Sequence, residues 1–274
     1  MDGSGTLADE GRLAAFLISL PRSHARRARA QAQLAGLPFA VQHLPGVDGR
    51  AEWAGLAPSV AMGAFRRNTG REVLQGEIGC YHAHLEAWRQ LIASGAGTGL
   101  VLEDDVILHP DFAEAVATAL AARRAWDLLK LNRIRARAPV AQGRLGRWRL
   151  NAYLGPATGL GAYMIRTDLA RRLLPAMLPI TRPIDHERDR SHIHDFRHFG
   201  LEPFPSHVED AGESTITGSG FAEVRKFPWY RRLPVHGLRL ANLIGKSAHL
   251  ARRGGLWPWS GPSSGPVAGS GAGG

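Results

Sequence analysis

Gly99-Leu100-Val101-Leu102-Glu103-Asp104-Asp105-Val106-Ile107-Leu108 is the stretch that decides the fold. An apolar run meets three consecutive carboxylates, resumes, and stops at His109-Pro110. Apolar residues of this length and branching predict a buried strand. A buried carboxylate without a counter-charge is costly, so the acids are expected to emerge at the strand's carboxyl end. In open α/β sheets that edge is where ligands bind. Strand alternation would put Glu103 and Asp105 on one face and Asp104 on the other. Two readings fit the spacing. A hard divalent cation takes such oxygen ligands; an acidic turn could equally pair with some of the chain's arginines.

Working outward, strands and helices alternate. Residues 14–20 predict a first strand, ended by Pro21-Arg22-Ser23, with Ser23 as N-cap of a helix from His24 to about Leu34. Residues 39–44 predict a second strand before Pro45-Gly46-Val47-Asp48-Gly49, which makes a βαβ unit with parallel strands. Arg22 and Asp48 then fall on the same edge as the acids. Ile78, Tyr81, Leu85 and Trp88 recur at helical spacing and predict a helix over 77–93. Cys80 with His84 one turn on could form a thiol–base pair, although packing is the commoner fate of such a cysteine. Further on, the pattern predicts a helix over 111–124, a strand over 126–132, an exposed arginine-rich excursion over 133–150, a strand ending at Ile165 and a helix over 167–174. The histidine-rich tract Ser191-His192-Ile193-His194-Asp195 reads as polar surface, with metal ligation the less common alternative.

Composition limits the class. Of 274 residues, 44% are hydrophobic and 21% charged, which fits a globular domain with a sizeable core. A single cysteine, Cys80, excludes an internal disulfide and fits a reducing compartment. Met1 to Gly11 lacks the basic start and apolar core of a secretory signal. The net charge is +10, but residues 224–274 hold eight Lys and Arg and no acid, leaving +2 for the rest. No nucleic-acid surface is therefore expected on the body. In the tail, Arg239, Asn242, Lys246, His249 and Arg253 form one mostly basic stripe, with Leu240, Leu243 and Ile244 away from it. Two readings stand: a basic amphipathic helix on an anionic membrane surface, or a helix docked on the domain.

In this order the segments resemble glycosyltransferase family 25, the bacterial lipopolysaccharide and lipooligosaccharide glycosyltransferases. The likeness rests on Phe16 to Arg22, Val47-Asp48-Gly49, Glu77-Ile78-Gly79-Cys80 with His84-Leu85 and Trp88, and Val101-Leu102-Glu103-Asp104-Asp105. Weaker matches are Leu129-Lys130-Leu131, Gly161 to Ile165, Pro183-Ile184-Asp185 and Ser214-Thr215-Ile216. The resemblance implies an α/β domain of the GT-A type with a mostly parallel central sheet flanked by helices. It also implies a divalent metal, Mn²⁺ or Mg²⁺, and inverting transfer of a sugar, galactose by likeness, from a UDP-sugar to a hydroxyl of a lipopolysaccharide-type glycan or glycolipid. Glu103, Asp105 and His207 are then the candidate metal ligands. Asp185 and Asp210 are candidate bases for the acceptor hydroxyl, and Arg22, Asp48 and Asp104 candidate nucleotide contacts. The expected organisation is a flexible start (1–11), a transferase domain (12–224), a basic amphipathic segment (225–260) and a disordered tail (261–274). The expected place is the cytoplasm, peripheral on the inner membrane. The rival is a non-catalytic glycan-binding or scaffolding protein of the same fold.

Overall fold

A computed structural model describes residues 11–208, 226–253 and 255. The strands are β1 (Leu13–Ser19), β2 (Val41–Pro45), β3 (Thr98–Glu103), β4 (Val106–Leu108), β5 (Leu128–Lys130), β6 (Asn132–Arg133), β7 (Pro139–Leu145), β8 (Trp148–Tyr153), β9 (Ala162–Arg166), β10 (His198–Glu202) and β11 (Ser206–Val208). The α-helices are α1 (His24–Leu34), α2 (Trp53–Leu56), α3 (Met62–Thr69), α4 (Gln75–Ser94), α5 (Phe112–Ala121), α6 (Thr167–Leu173), α7 (Ile184–Arg188), α8 (Ser191–His194) and α9 (Leu233–Arg252).

The main sheet has the order β2-β1-β3-β9-β5-β10-β8-β7. β1 pairs in parallel with β2 and β3, and β10 with β5; β9 and β8 run against their neighbours. The mostly parallel direction is therefore present, with two strands reversed. β4, β11 and β6 make a small second sheet. Helices cover both faces. Phe16, Ile18, Val101 and Tyr163 join one core with Ile78, Leu85 and Trp88 of α4. Ala15, Leu17, Leu100 and Leu102 join another with Phe112 and Val116 of α5. Burial on both faces is why β1 and β3 read as continuous apolar runs.

Two expectations change. Residues 133–150 are no excursion: they begin with β6 and continue into a β7–β8 hairpin that extends the sheet from β10. Arginines of this hairpin alternate with inward residues, so Trp148, Leu150 and Ala152 are buried while Arg149 is exposed. Ser23 does occupy the N-cap of α1, but its side chain makes no capping hydrogen bond.

Two motifs meet through their glycines. A Cβ on Gly79 would collide with Val47 O and the Gly49 backbone, and one on Gly49 with Gln75 O and Gly79 N. The turn after β2 and the first turns of α4 thus touch backbone to backbone, which only glycine permits. This contact seats α4 against the edge where β1 and β3 end.

Candidate functional site at the carboxyl rim of the sheet

β1 and β3 end together, with Ile18 opposite Glu103. Ser19 Oγ donates to Asp104 Oδ2 at 2.7 Å. Along β3, Glu103 shares the face of Val101, toward α4, and Asp104 points toward α1. The expectation that strand alternation would put Asp105 on the face of Glu103 fails, because the strand ends at Glu103 and 104–105 form a turn. Arg26 Nη2 of α1 bridges Asp104 Oδ1 and Asp105 Oδ2, each at 3.0 Å. The arginine reading therefore holds for two of the three acids. It leaves Asp105 Oδ1 buried without a hydrogen-bond partner. Burial, and next the Glu103 charge, push Asp105 up to about 7 against the pull of Arg26.

Glu103 is held from the other side. Cys80, His84 and Trp88 are one turn apart on α4 and so share one face. Trp88 Nε1 donates to Tyr163 Oη at 2.9 Å. The tyrosine's one proton then goes to His84 Nδ1 at 3.0 Å, which leaves His84 Nε2–H to donate to Glu103 Oε1 at 3.2 Å. Cys80 Sγ is 3.6 Å from the same oxygen. This chain fixes the histidine tautomer and the glutamate's orientation. Burial, and next the Glu103 charge, raise the Cys80 thiol well above its usual range. The cysteine's thiol thus sits as a donor to the glutamate. Among the described residues, Cys80, His84 and Glu103 are the one group of three such side chains close enough to share an ion.

Asp185 reaches the same region from the first turn of α7. Its Oδ2 accepts from Gly159 N at 3.1 Å and its Oδ1 from His186 N at 2.8 Å. Burial works to raise it, but His186, the Gly159 N–H and Arg188 outweigh this and hold the carboxyl below its usual range. Behind the rim lie two buried basic side chains that the sequence reading passed over. Lys130, at the end of β5, donates to Asn132 Oδ1, Thr158 O and Gly159 O. Burial and then Arg188 push it down to about 7, while Asp185, Asp189 and Glu103 pull the other way. Arg188 stacks on the Tyr163 ring, 4.8 Å from its centroid, and its Nη2 donates to Gly159 O at 2.9 Å. Its Nε and Nη1 are buried without partners. A single lysine inside Leu128-Leu129-Lys130-Leu131 was the available signal.

Other candidates separate. Arg22 pairs with Asp48, whose Oδ1 accepts from Arg50 N and Ala51 N and so shapes the turn after β2. His207 does not join Glu103 and Asp105. On β11, Ser206 is buried and bonded to Leu131 O, so alternation turns His207 outward, where its Nδ1 meets His109 Nε2 at 2.8 Å. Asp210 and Ser214-Thr215-Ile216 lie outside the described residues. The histidine-rich tract is structural: His194 Nε2 and Arg190 hold Glu187, and His192 packs on Gly245.

The fold is a mostly parallel α/β sheet flanked by helices, with three acids at the carboxyl rim of β1 and β3. The model of glycosyltransferase family 25 (LPS biosynthesis protein) matches residues 13–187, and the chain belongs to that family. Among its relatives, the inactive glycosyltransferase 25 family member 3 of Homo sapiens is 30% identical over 126 residues, which are 43% of this chain and 21% of that protein. Procollagen galactosyltransferase 1 of Danio rerio is 25% identical over 219 residues, 70% of this chain and 36% of that protein. The chain thus spans well under half the length of these relatives. The solved mannose-1-phosphate geranyltransferase of Thermus thermophilus aligns with a TM-score of 0.40 and 18% identity over 71% of this chain and 75% of its own.

Proposed function

We propose that this chain is an inverting transferase that moves a sugar, galactose in first place, from a UDP-sugar to a hydroxyl of a lipopolysaccharide-type glycan or glycolipid. One observation carries the reading. At the carboxyl rim of parallel strands, Asp105 keeps a buried oxygen with no partner beside Glu103, and a single guanidinium, that of Arg26, bridges Asp104 and Asp105. An unsatisfied buried carboxylate oxygen in a corner of three acids fits a hard divalent cation, Mn²⁺ or Mg²⁺, held by Glu103 and Asp105. When bound, such an ion supplies Lewis-acid charge to a diphosphate leaving group.

The remaining roles belong to the chain's own side chains. His84 and Cys80 both face Glu103 Oε1, so they orient the carboxylate and leave its second oxygen for a ligand. Arg188, whose Nε and Nη1 have no partner, places positive charge behind the rim, where a diphosphate develops negative charge. Asp185 is held ionised, ready to take the proton of the acceptor hydroxyl as its oxygen bonds to the anomeric carbon and the carbon–phosphate oxygen bond breaks. Arg22 and Asp48 shape the neighbouring turn and are candidate contacts for the nucleotide.

The galactosyltransferase relative supports the donor class, and the relatives named inactive give the second reading, a fold kept for glycan binding without turnover. A screen of UDP-sugars for Mn²⁺-dependent hydrolysis, with calorimetry of UDP with and without Mn²⁺, separates them. UDP-galactose turnover is expected to be the fastest. Absence of both UDP binding and hydrolysis would favour the scaffold reading over the UDP-sugar transferase.

A further inference from the structure

The C-terminal helix inverts the expected use of its two faces. Lys246, the centre of the basic stripe, is buried and donates to Asp189 Oδ1 at 2.8 Å and Gly155 O at 2.9 Å. His249 is buried against Phe196 O, and Arg253 pairs with Asp195. Gly245 lets α9 approach His192 of α8, and Val235 packs on Gly70 at the end of α3. Lys246, His249 and Arg253 of the polar stripe thus dock the helix, together with the buried Val235 and Leu250. At 3.6 residues per turn, Leu233, Leu240 and Ile244 fall on the opposite side, and they are 58%, 58% and 60% exposed. Leu243 adds to this face, and Trp229 and Tyr230 stand exposed just before the helix with their rings edge to face.

We propose that this outward face inserts into the interface of an anionic lipid bilayer, with α9 lying in the membrane plane. Two features select that occupant. The apolar ridge is flanked by exposed basic side chains, Arg231, Arg239 and Arg252, in a segment that has no acid after Glu223. A second copy on this face would bring like-charged rims together, whereas anionic headgroups meet them with opposite charge. An exposed Trp–Tyr pair at the end of an apolar ridge also suits the boundary between headgroups and acyl chains. No helix among the described residues is long and apolar enough to cross a membrane, so the mode is lying on the surface. Orientation follows from the docked face: the body is held above the bilayer by Lys246 and Arg253 rather than tethered by a free tail.

The test uses the full chain without donor or acceptor, so its outcome does not depend on transfer chemistry. Sedimentation with phosphatidylethanolamine–phosphatidylglycerol vesicles is compared with phosphatidylcholine vesicles. Binding to the anionic vesicles is expected, weakening as salt rises. The double variant Leu240→Glu/Ile244→Glu, changed only at exposed positions, is expected to bind at least about tenfold less at unchanged circular dichroism. Arg231→Gln/Arg239→Gln is expected to lose affinity mainly at low salt. Unchanged vesicle binding in Leu240→Glu/Ile244→Glu would overturn the proposal. So would absence of wild-type binding, or a solution dimer that this variant abolishes in a chain that ignores vesicles.

Discussion

The acidic rim and the C-terminal helix pose the same problem and solve it in opposite ways. Each places a run of like charges beside apolar residues. At the rim, Leu100 to Leu102 go into the two cores and the carboxylates stay at the edge. On α9, the central charge of the stripe goes in, where Asp189 waits for it, and Leu233, Leu240 and Ile244 stay out. The difference is the partner. A strand in mid-sheet has apolar layers on both sides, so its charges have nowhere to go but the end. A helix on the periphery lies on whatever the body offers, and here that is Asp189, Asp195 and backbone carbonyls. Periodicity tells which residues share a face; it does not tell which face turns inward.

Glu103→Gln is expected to lower UDP-sugar turnover about 10²–10³-fold, the scale of losing one transition-state electrostatic contact, with the thermal transition preserved. Wild-type turnover in this variant would remove the rim from the chemistry. On the helix side, Lys246→Ala leaves Asp189 buried without its ion partner. A loss of about 3–5 kcal/mol is expected in denaturant unfolding. A loss below about 1 kcal/mol would mean that α9 is not held by this pair.

The pH dependence sharpens the rim further. In chelator, Asp105 titrates near 7 in the folded chain but near the ordinary carboxylate value when unfolded. Between about pH 4 and 7 the folded state holds the extra proton, so stability falls as pH rises through that window. Asp105→Asn is expected to flatten this slope, measured as unfolding midpoint against pH. Mn²⁺ added at neutral pH should restore stability to the wild type and not to Asp105→Asn. The smallest effect belongs to His207→Ala, expected within about 0.5 kcal/mol in stability and unchanged in Mn²⁺ affinity, since its side chain faces out. A large loss of Mn²⁺ affinity would restore it to the metal site.

Much of the fold was legible. The apolar runs around Phe16 and Val101, and the helical spacing from Ile78 to Trp88, depend on local periods, and β1, β3 and α4 form where those periods put them. The β7–β8 hairpin was not legible, because its arginines mask an inward face that is apolar only at alternate positions. Of the site, the acids and their edge were readable. Asp105's turn toward Arg26 was not, since alternation holds only while the strand continues and the strand stops at Glu103.

By itself the sequence determined that Glu103, Asp104 and Asp105 come at the end of a buried strand, that Ile78, Tyr81, Leu85 and Trp88 share one face of a helix, and that the basic charge gathers at the chain's end. Those conclusions rest on nearest-neighbour chemistry and local period. The tertiary structure decided what those groups face: the Trp88–Tyr163–His84–Glu103 chain, the buried Lys130 and Arg188, and a C-terminal helix that docks by Lys246 and shows Leu233, Leu240 and Ile244. Each of these joins residues far apart in the chain, and the preference of a buried charge for a partner over solvent can be evaluated only when that partner is in place.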